Sequence, residues 1–549
     1  MTMNKRIIIA ALLLTSMSAA AQDTYENARA LGSDLNGTAR YVGMGGALDA
    51  LGAEISTIST NPAAIGLFRH SMVSMSLGVV SQQDAHKFDN VGKTNPSFDQ
   101  IGFVYSMQAG PTSFLNFGVN YHKSRNFDQI LSATNSLYQS SLSKHIVGKS
   151  TLGSDLQGGY FLDTNKDKEW IGWRNNSSSE RAYPYTQLDY MYTNAVTMDD
   201  VNNKDSKGNI IPTNTYEEAS AYNFDRAHSG WISDFDFNIS GNINNRFYLG
   251  ITMGLHYMNY KGYSVYSENV LDAGNKDIGQ YTLTDERKIT GTGFDVKLGF
   301  IFRPIAESPF RVGLSVTTPT WYELKSENFT TLRNAADPIV HNYGGDSWKS
   351  SESLKYLYYT PWKFGASLGH TIGNYLALGA SYEYSDCSSA DTRVIDGYDE
   401  FDNRESHSDR VMNSNTEHSL KGVHTLKLGA EFKPETDVAI RLGYNYVSPM
   451  YQKNGVRDNM LDSEGNCYSS TADYTNWSDT NRFTCGLGFR FDKINFDIAY
   501  QYSVTNGTFH PFQDTSFIES SGAKVTNIGT TTDVSNKRHQ LLFTLGYTF

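Results

Sequence analysis

At 549 residues the chain is long enough for several soluble domains, yet 47 Gly, 35 Tyr and 29 Phe against 13 Pro point to one large β-structure. The net charge of −12 comes from interspersed acids and bases with no long basic run, which argues against nucleic acid as a partner. No interior stretch offers the roughly 20 apolar residues of a transmembrane helix, and a mean hydropathy of −0.45 is compatible with a barrel whose lumen is polar.

The chain opens with Lys5 and Arg6, an apolar run from Ile7 to Leu14, and small residues ending Ala19-Ala20-Ala21. This is the order of a secretory signal peptide, 1–21, cleaved before Gln22; no cysteine follows to carry a lipid anchor. Export places the chain in an oxidising compartment, where Cys387 and Cys467 fall in expected surface loops and could be bridged, while Cys485 alternates onto a lipid face.

Residues 22–70 precede the first alternating segment and are expected to form an N-terminal periplasmic segment and a luminal plug. The plug proper, Ala30–Arg69, has no strand alternation; its run Gly43-Met44-Gly45-Gly46 suits close approach to a wall, and Asn61-Pro62 favours a turn. An empty barrel of this size would hold an aqueous lumen, so the segment is expected inside it.

From residue 71 to 549 the pattern is period-two alternation, with strands expected at 72–80, 98–108, 113–123, 231–243, 246–263, 290–303, 309–325, 354–371, 374–386, 419–433, 437–450, 480–491, 494–505 and 537–549. The total, about fourteen, is even, as closure of an all-β, antiparallel, up-and-down transmembrane barrel requires. Short connections such as Asn244–Asn245 and Asp492–Lys493 are expected at the periplasmic end. They alternate with long, polar connections at 81–97, 124–230, 264–289, 326–353, 387–418, 451–479 and 506–536, expected outside the cell.

The two faces are legible within strands. Phe294, Val296, Leu298, Phe300 and Phe302 would meet lipid, with Asp295, Lys297 and Arg303 inward; Arg441, Asn445, Arg482, Arg490 and Asp497 are likewise placed in the lumen. An Arg or Lys on the lipid face at the bilayer midplane would cost roughly 2–4 kcal/mol, so this segregation is a physical requirement. The final strand carries Leu541, Phe543, Leu545, Tyr547 and the terminal Phe549 on one face, and a terminal aromatic there looks like the signal read by barrel-insertion machinery.

The run from Arg40 through Asn61-Pro62-Ala63-Ala64-Ile65-Gly66, together with the strand count, resembles the FadL-type (OmpP1, Toluene_X) family of outer-membrane transporters of long-chain fatty acids and hydrophobic compounds. The resemblance implies a fourteen-stranded barrel closed by an N-terminal hatch. It also implies passive uptake of a hydrophobic small molecule by loop capture, luminal binding, hatch rearrangement and lateral exit through a gap beside an inward kink in the third strand. Asn61, Pro62, Ala63, Ala64 and Ile65 are then candidate ligand-binding or gating residues, and Gly118 is the candidate kink. The implied partners are the ligand, outer-membrane lipid and lipopolysaccharide, and the insertion machinery.

The connection at 124–230 exceeds what the family groove requires. Ile130, Ala133 and Leu137 within Phe127–Val147 are spaced as in a short amphipathic helix, and Trp170, Ile171, Trp173, Tyr183, Tyr185, Tyr190 and Tyr192 follow. Ligand gathering, loop self-packing and contact with another protein all fit, so the alternative function is a surface adhesion or complex-forming barrel.

No catalytic or cofactor site is expected. Gly365-Ala-Ser367-Leu-Gly369 has a hydrolase spacing but lies on a strand without the required elbow. Asp163-Thr-Asn165-Lys-Asp167 begins like a calcium loop, but the sixth position is Lys168 and the twelfth Arg174, which excludes an EF-hand and leaves a loose surface calcium site open. Gly43-Met-Gly45-Gly46 has no preceding strand and is no dinucleotide site.

Overall fold

The computed structural model describes residues 23–153, 160–165, 169–174, 185–197, 214–336, 347–398, 404–461, 463, 465–518 and 522–549. The signal peptide, Tyr183 and part of the calcium-like run lie outside them.

Fourteen antiparallel staves close on themselves. They are β1 (Met72–Gln82), β2 (Thr94–Gln108), β3 (Phe114–Asn126, continued by Gln129–Ser136), β4 (Glu218–Ile243), β5 (Phe247–Leu271), β6 (Asp277–Phe302) and β7 (Arg311–Thr317, then Trp321–Asn334). The remainder are β8 (Ser347–Tyr359, then Lys363–Ile372), β9 (Leu376–Asp386), β10 (Gly422–Glu435), β11 (Val438–Val447), β12 (Tyr474–Phe491), β13 (Ile494–His510) and β14 (Thr532–Thr548). Each pairs with its neighbours in sequence, and β14 returns to β1 with Met72 opposite Thr548 and Gln82 opposite Arg538. Closure removes the two edges that an open sheet of this size would present.

Alternation sorts the side chains as expected. Phe294, Leu298, Ile440, Leu442, Phe543 and Leu545 project outward, while Asp295, Lys297, Arg441, Asn445, Arg482 and Asp497 are buried inside. The outward belt of β5 ends at Tyr257, so its remaining residues to Leu271 rise beyond the apolar zone. Arg490 differs: it sits exposed at the short-turn rim, where its backbone N–H bonds to Asp437 O.

Several expected loops are strand extensions. The connection after β3 is 137–217 rather than 124–230, because Ile130 and Ala133 lie in a strand opposite Ala227 and Phe224. The helix expected there starts later, as α3 (Leu142–Gly153), after α1 (Thr24–Asn27) and α2 (Ala39–Gly43) near the N-terminus. Sheet pairing with β4 overrides the helical spacing, since it satisfies the backbone groups of the segment that face β4, while Gln82 takes up Ile130 N and O on the other side. Likewise β5 and β6 meet in a turn at 272–276.

Two strands expected to be continuous are broken, β7 at Pro319 and β8 at Pro361, because proline has no N–H to give a ladder. The bridge left open between Cys387 and Cys467 is not formed, and Cys387 is buried.

Over the long-loop end lies a cap. Helix α3, helix α4 (Gln187–Tyr192) and the following Thr193–Thr197 pack Leu142, Ile146, Leu188, Met191, Tyr192 and Val196 against Tyr222, Tyr266, Leu283, Leu332 and Phe509. These partners come from β4, β5, β6, β7 and the distant β13, so one apolar core bridges the mouth. Tyr192 is therefore loop and barrel packing, not an open collecting surface.

Candidate functional site: the plugged lumen

Residues 23–68 lie inside the barrel. The segment is too rich in Gly, Asn and Thr for long helices, and it folds as short turns fixed by side-chain caps. Thr38 caps α2 through Tyr41 N (3.1 Å), Glu54 accepts from Thr38 Oγ1 (2.7 Å), and Asn61 Oδ1 accepts from Ala63 N (3.2 Å) at the start of the 3-10 turn Pro62–Leu67. Proline at the first position of that turn leaves one less donor to satisfy.

The wall meets the plug with glycines. A Cβ on Gly250 or Gly299 would collide with the backbone of Pro62 and Ala63, and one on Gly379, Gly429 or Gly443 would collide with Met44–Ala47. Ser240 Oγ donates to Pro62 O (2.7 Å), Thr252 Oγ1 to Ile58 O (2.9 Å) and Asn116 Nδ2 to Ile65 O (2.8 Å), so wall side chains take up plug carbonyls.

All the singled-out motif residues sit in this contact. Ala63, Ala64 and Ile65 are fully buried, and Asn61 is buried with no acceptor for its Nδ2 among the described residues. Gly118 is also at the plug, where an added Cβ would lie 3.3 Å from Ile58 Cδ1, but it is no kink. Pairing runs straight through it, to Val104 on one side and Asn238 on the other; the irregularity in β3 falls at Lys123/Arg125.

Charge pins the plug further. Arg40 Nε lies 3.2 Å from Glu431 Oε2, which Arg441 also holds at 2.7 Å, and Arg441 reaches Asp497 at 2.5 Å. Lys427 pairs with Glu383 and lies 3.9 Å from Asp49. Such pairs are worth little net against desolvation, but removing one member strands a buried charge.

The first turns do not stay at the short-turn end. Asp23, the N-cap of α1, and Glu26 within it reach the outer half of the lumen, where Arg457 holds Asp23 (2.7 Å) and Arg287 holds Glu26 (2.6 Å); Thr24 Oγ1 meets Thr416 Oγ1 (2.9 Å) of α5 (Arg410–Ser419).

Between plug and cap remains a cavity of ≈ 440 Å³. Leu31, Leu35, Phe127, Ile232, Met450 and Tyr451 give it apolar walls, while Arg29, Arg125, Arg226 and His228 add positive or polar groups. Lower down, His256 is clasped by Asp234 (2.8 Å) and Asp295 (2.9 Å), and Lys297 by Asp236 (2.8 Å) and Asp295 (3.0 Å). Arg29 has no carboxylate within ion-pair distance among the described residues and stacks 4.6 Å over Tyr260. Apolar and cationic groups thus stand side by side around the cavity.

No family model and no curated protein matches the chain. Solved structures do. The chain is similar to a Pseudomonas aeruginosa FadL homologue and to the Ralstonia pickettii toluene transporter TbuX, each at 12% identity and TM-score 0.46, covering 94% of this chain and 99% of theirs. The Pseudomonas putida toluene transporter TodX aligns at 10% identity and TM-score 0.45, over 94% of this chain and 98% of its own.

Proposed function

We propose that the chain is a Gram-negative outer-membrane channel for passive uptake of hydrophobic or amphiphilic small molecules such as long-chain fatty acids. The observation that carries this reading is the cavity above the plug, which is lined by apolar and cationic side chains together. Short turns then face the periplasm and the cap faces outward.

Lateral exit is supported at one place in the wall. Pairing of β2 with β3 ends at Gln100↔His122, although β2 continues to Thr94 along β1 and β3 continues to Ser136 along β4. The opening between them is stoppered by the plug. Asn36 Nδ2 donates to Asp99 Oδ1 (3.0 Å) and to Lys123 O (2.9 Å), and Asp34 N donates to Ser124 O (2.8 Å). A shift of the plug at 34–36 would therefore open a path to lipid. An apolar solute leaving that way avoids the aqueous compartment below.

Lipid extraction and mass spectrometry of the purified barrel should find fatty acids or similar molecules; repeated absence from folded protein refutes uptake. Replacing Asn61, Pro62 and Ala63 should alter uptake with assembly intact, and a loss of assembly alone makes the motif structural. A second reading, adhesion, is favoured by Tyr138, Ile518 and Ile528, exposed on the outer face at 79, 58 and 57%. Their substitution by Ser should leave uptake unchanged if the channel reading holds.

A further inference from the structure

Three breaks in the wall coincide on the sector of β7, β8 and β9, distant from β2 and β3. The register Thr317↔Lys363 and Trp321↔Tyr359 puts Pro319 opposite Pro361. Thr360 gives its N–H to Thr320 O (3.1 Å). Successive N–H groups of a strand point to opposite sides, so the next would face β9, and there Pro361 has none to offer. On the β9 side the chain has left the ladder as well: pairing with β8 ends at Lys363↔Ser385 and resumes only at Tyr359↔Asp391. The intervening Cys387–Ser389 forms a single 3-10 turn. Among the described residues no backbone hydrogen bond joins 360–362 to 386–390.

Both sides of this window are furnished. From within, Thr320, Thr360, Pro361 and Cys387 line the cavity. From without, Trp321, Trp362 and Phe364 are 40, 49 and 53% exposed, the placement of an aromatic girdle where hydrocarbon gives way to headgroups. Irregular backbone at membrane depth is tolerated where it lines a cavity, because only there can its unpaired groups be solvated. The mouth above offers no comparable weakness, since axial entry must part the apolar core of the cap.

We infer that this window is a side portal through which apolar or amphiphilic molecules dissolved in the outer leaflet enter the cavity directly, beneath the cap. The inference rests on the uptake reading for its purpose, but its test does not need transport. In full-length protein reconstituted in liposomes, Cys467→Ser and Cys485→Ser leave Cys387 as the only thiol, just behind the window. A pyrene maleimide dissolved in the bilayer should modify it, while a sulfonated maleimide confined to water should not. Pro361→Val supplies an N–H that a carbonyl of 386–390 can take up when the two strands draw together, and it should slow the bilayer reagent by about tenfold, the scale of one added hydrogen bond against local opening. Val423→Phe, which adds bulk to the cavity wall behind the window and removes no side-chain hydrogen bond, should do the same if Pro361→Val fails to assemble.

Cys387 inert to the bilayer reagent while Cys485 reacts in a Cys387→Ser, Cys467→Ser chain overturns the portal, as does a rate unmoved by both variants. Bound lipid together with an inert Cys387 removes the portal and leaves the channel. A reactive Cys387 slowed by either variant supports the portal, and with no bound lipid it removes the uptake reading alone.

Discussion

The glycines beneath the plug allow the seating of the hatch to be tested quantitatively. Gly299 lies under Asn61–Ala63, and an alanine there would put its Cβ 2.6 Å from Ala63 N and 2.9 Å from Pro62 N, both backbone atoms of a capped turn that cannot yield as a side-chain tip does. Overpacking of this kind costs about 1–3 kcal/mol, and Asn61–Leu67 should carry most of it because the opposing element is a paired strand. At 1.4 kcal/mol per factor of ten, local opening of the turn should become about 5- to 150-fold more frequent. Gly241 supplies the control, since it lies on β4 but on the lipid side, between outward Ile239 and Ile243, where an added Cβ meets nothing within 4 Å. Hydrogen exchange at Ala63–Leu67 should accelerate in Gly299→Ala and stay unchanged in Gly241→Ala, and ion conductance in planar bilayers should rise only in the former. Equal behaviour of the two variants would refute the claim that direct wall contact holds the turn.

Two further outcomes follow from the buried charges. Arg441→Met should destabilise refolded barrel in urea by about 3–5 kcal/mol by stranding Asp497 and weakening the hold on Glu431, and adding Glu431→Gln with Asp497→Asn should recover most of the loss. In the cap, Glu268 accepts from Leu142 N (2.9 Å) and Tyr266 Oη (2.6 Å) with no cation beside it, and burial pushes its carboxyl up to about 7. A raised acid stabilises the folded state fully below the ordinary carboxylate value and loses that contribution as pH rises through 7. Burial and Lys149 push neighbouring His145 down to about 3, which acts oppositely, favouring the cap less as pH falls below the ordinary histidine value. Glu268→Gln should therefore protect the backbone amides of α3 at pH 8 by up to about 3 kcal/mol and do little at pH 4.5.

How far the sequence revealed this molecule depended on whether the signal was local. The faces of β6 were legible because Phe294, Asp295, Lys297 and Leu298 need only the two-residue period to be sorted. The strand breaks were partly visible, since Pro319 and Pro361 stand in plain view, but strong flanking alternation masked them. Asp234, His256 and Asp295 lie inward by the same period, yet that they converge follows from the register of three staves, which no single segment carries. The anchoring of α1 was beyond reach for a similar reason: Asp23 meets Arg457 across more than four hundred residues. The wall glycines were read as a compositional trait; that Gly250 and Gly299 receive Pro62 and Ala63 needs both partners in place.

The plug is not held uniformly, and this decides which part of it should move. Its lower half, 55–67, sits on glycines, gives carbonyls to Ser240, Thr252 and Asn116, and adjoins the Arg40–Glu431–Arg441 network, so ejecting it whole must break all of these together. The stretch 34–36 is attached by side-chain and backbone hydrogen bonds and by longer ion pairs of Asp34 with Arg482 (3.7 Å) and Arg538 (3.8 Å), and it stops the gap between β2 and β3. Net values near 1 kcal/mol for each such bond make its release attainable without global loss of the plug. Asn36→Ala removes two of these bonds and the acceptor of Gln540 Nε2. It should speed hydrogen exchange at 34–36 about tenfold or more, leave 55–67 unchanged, and raise the rate at which a fluorescent fatty acid reaches the liposome bilayer. Acceleration at both segments would mean that the plug moves as one body; faster exchange at 34–36 without faster delivery would move the exit elsewhere in the wall.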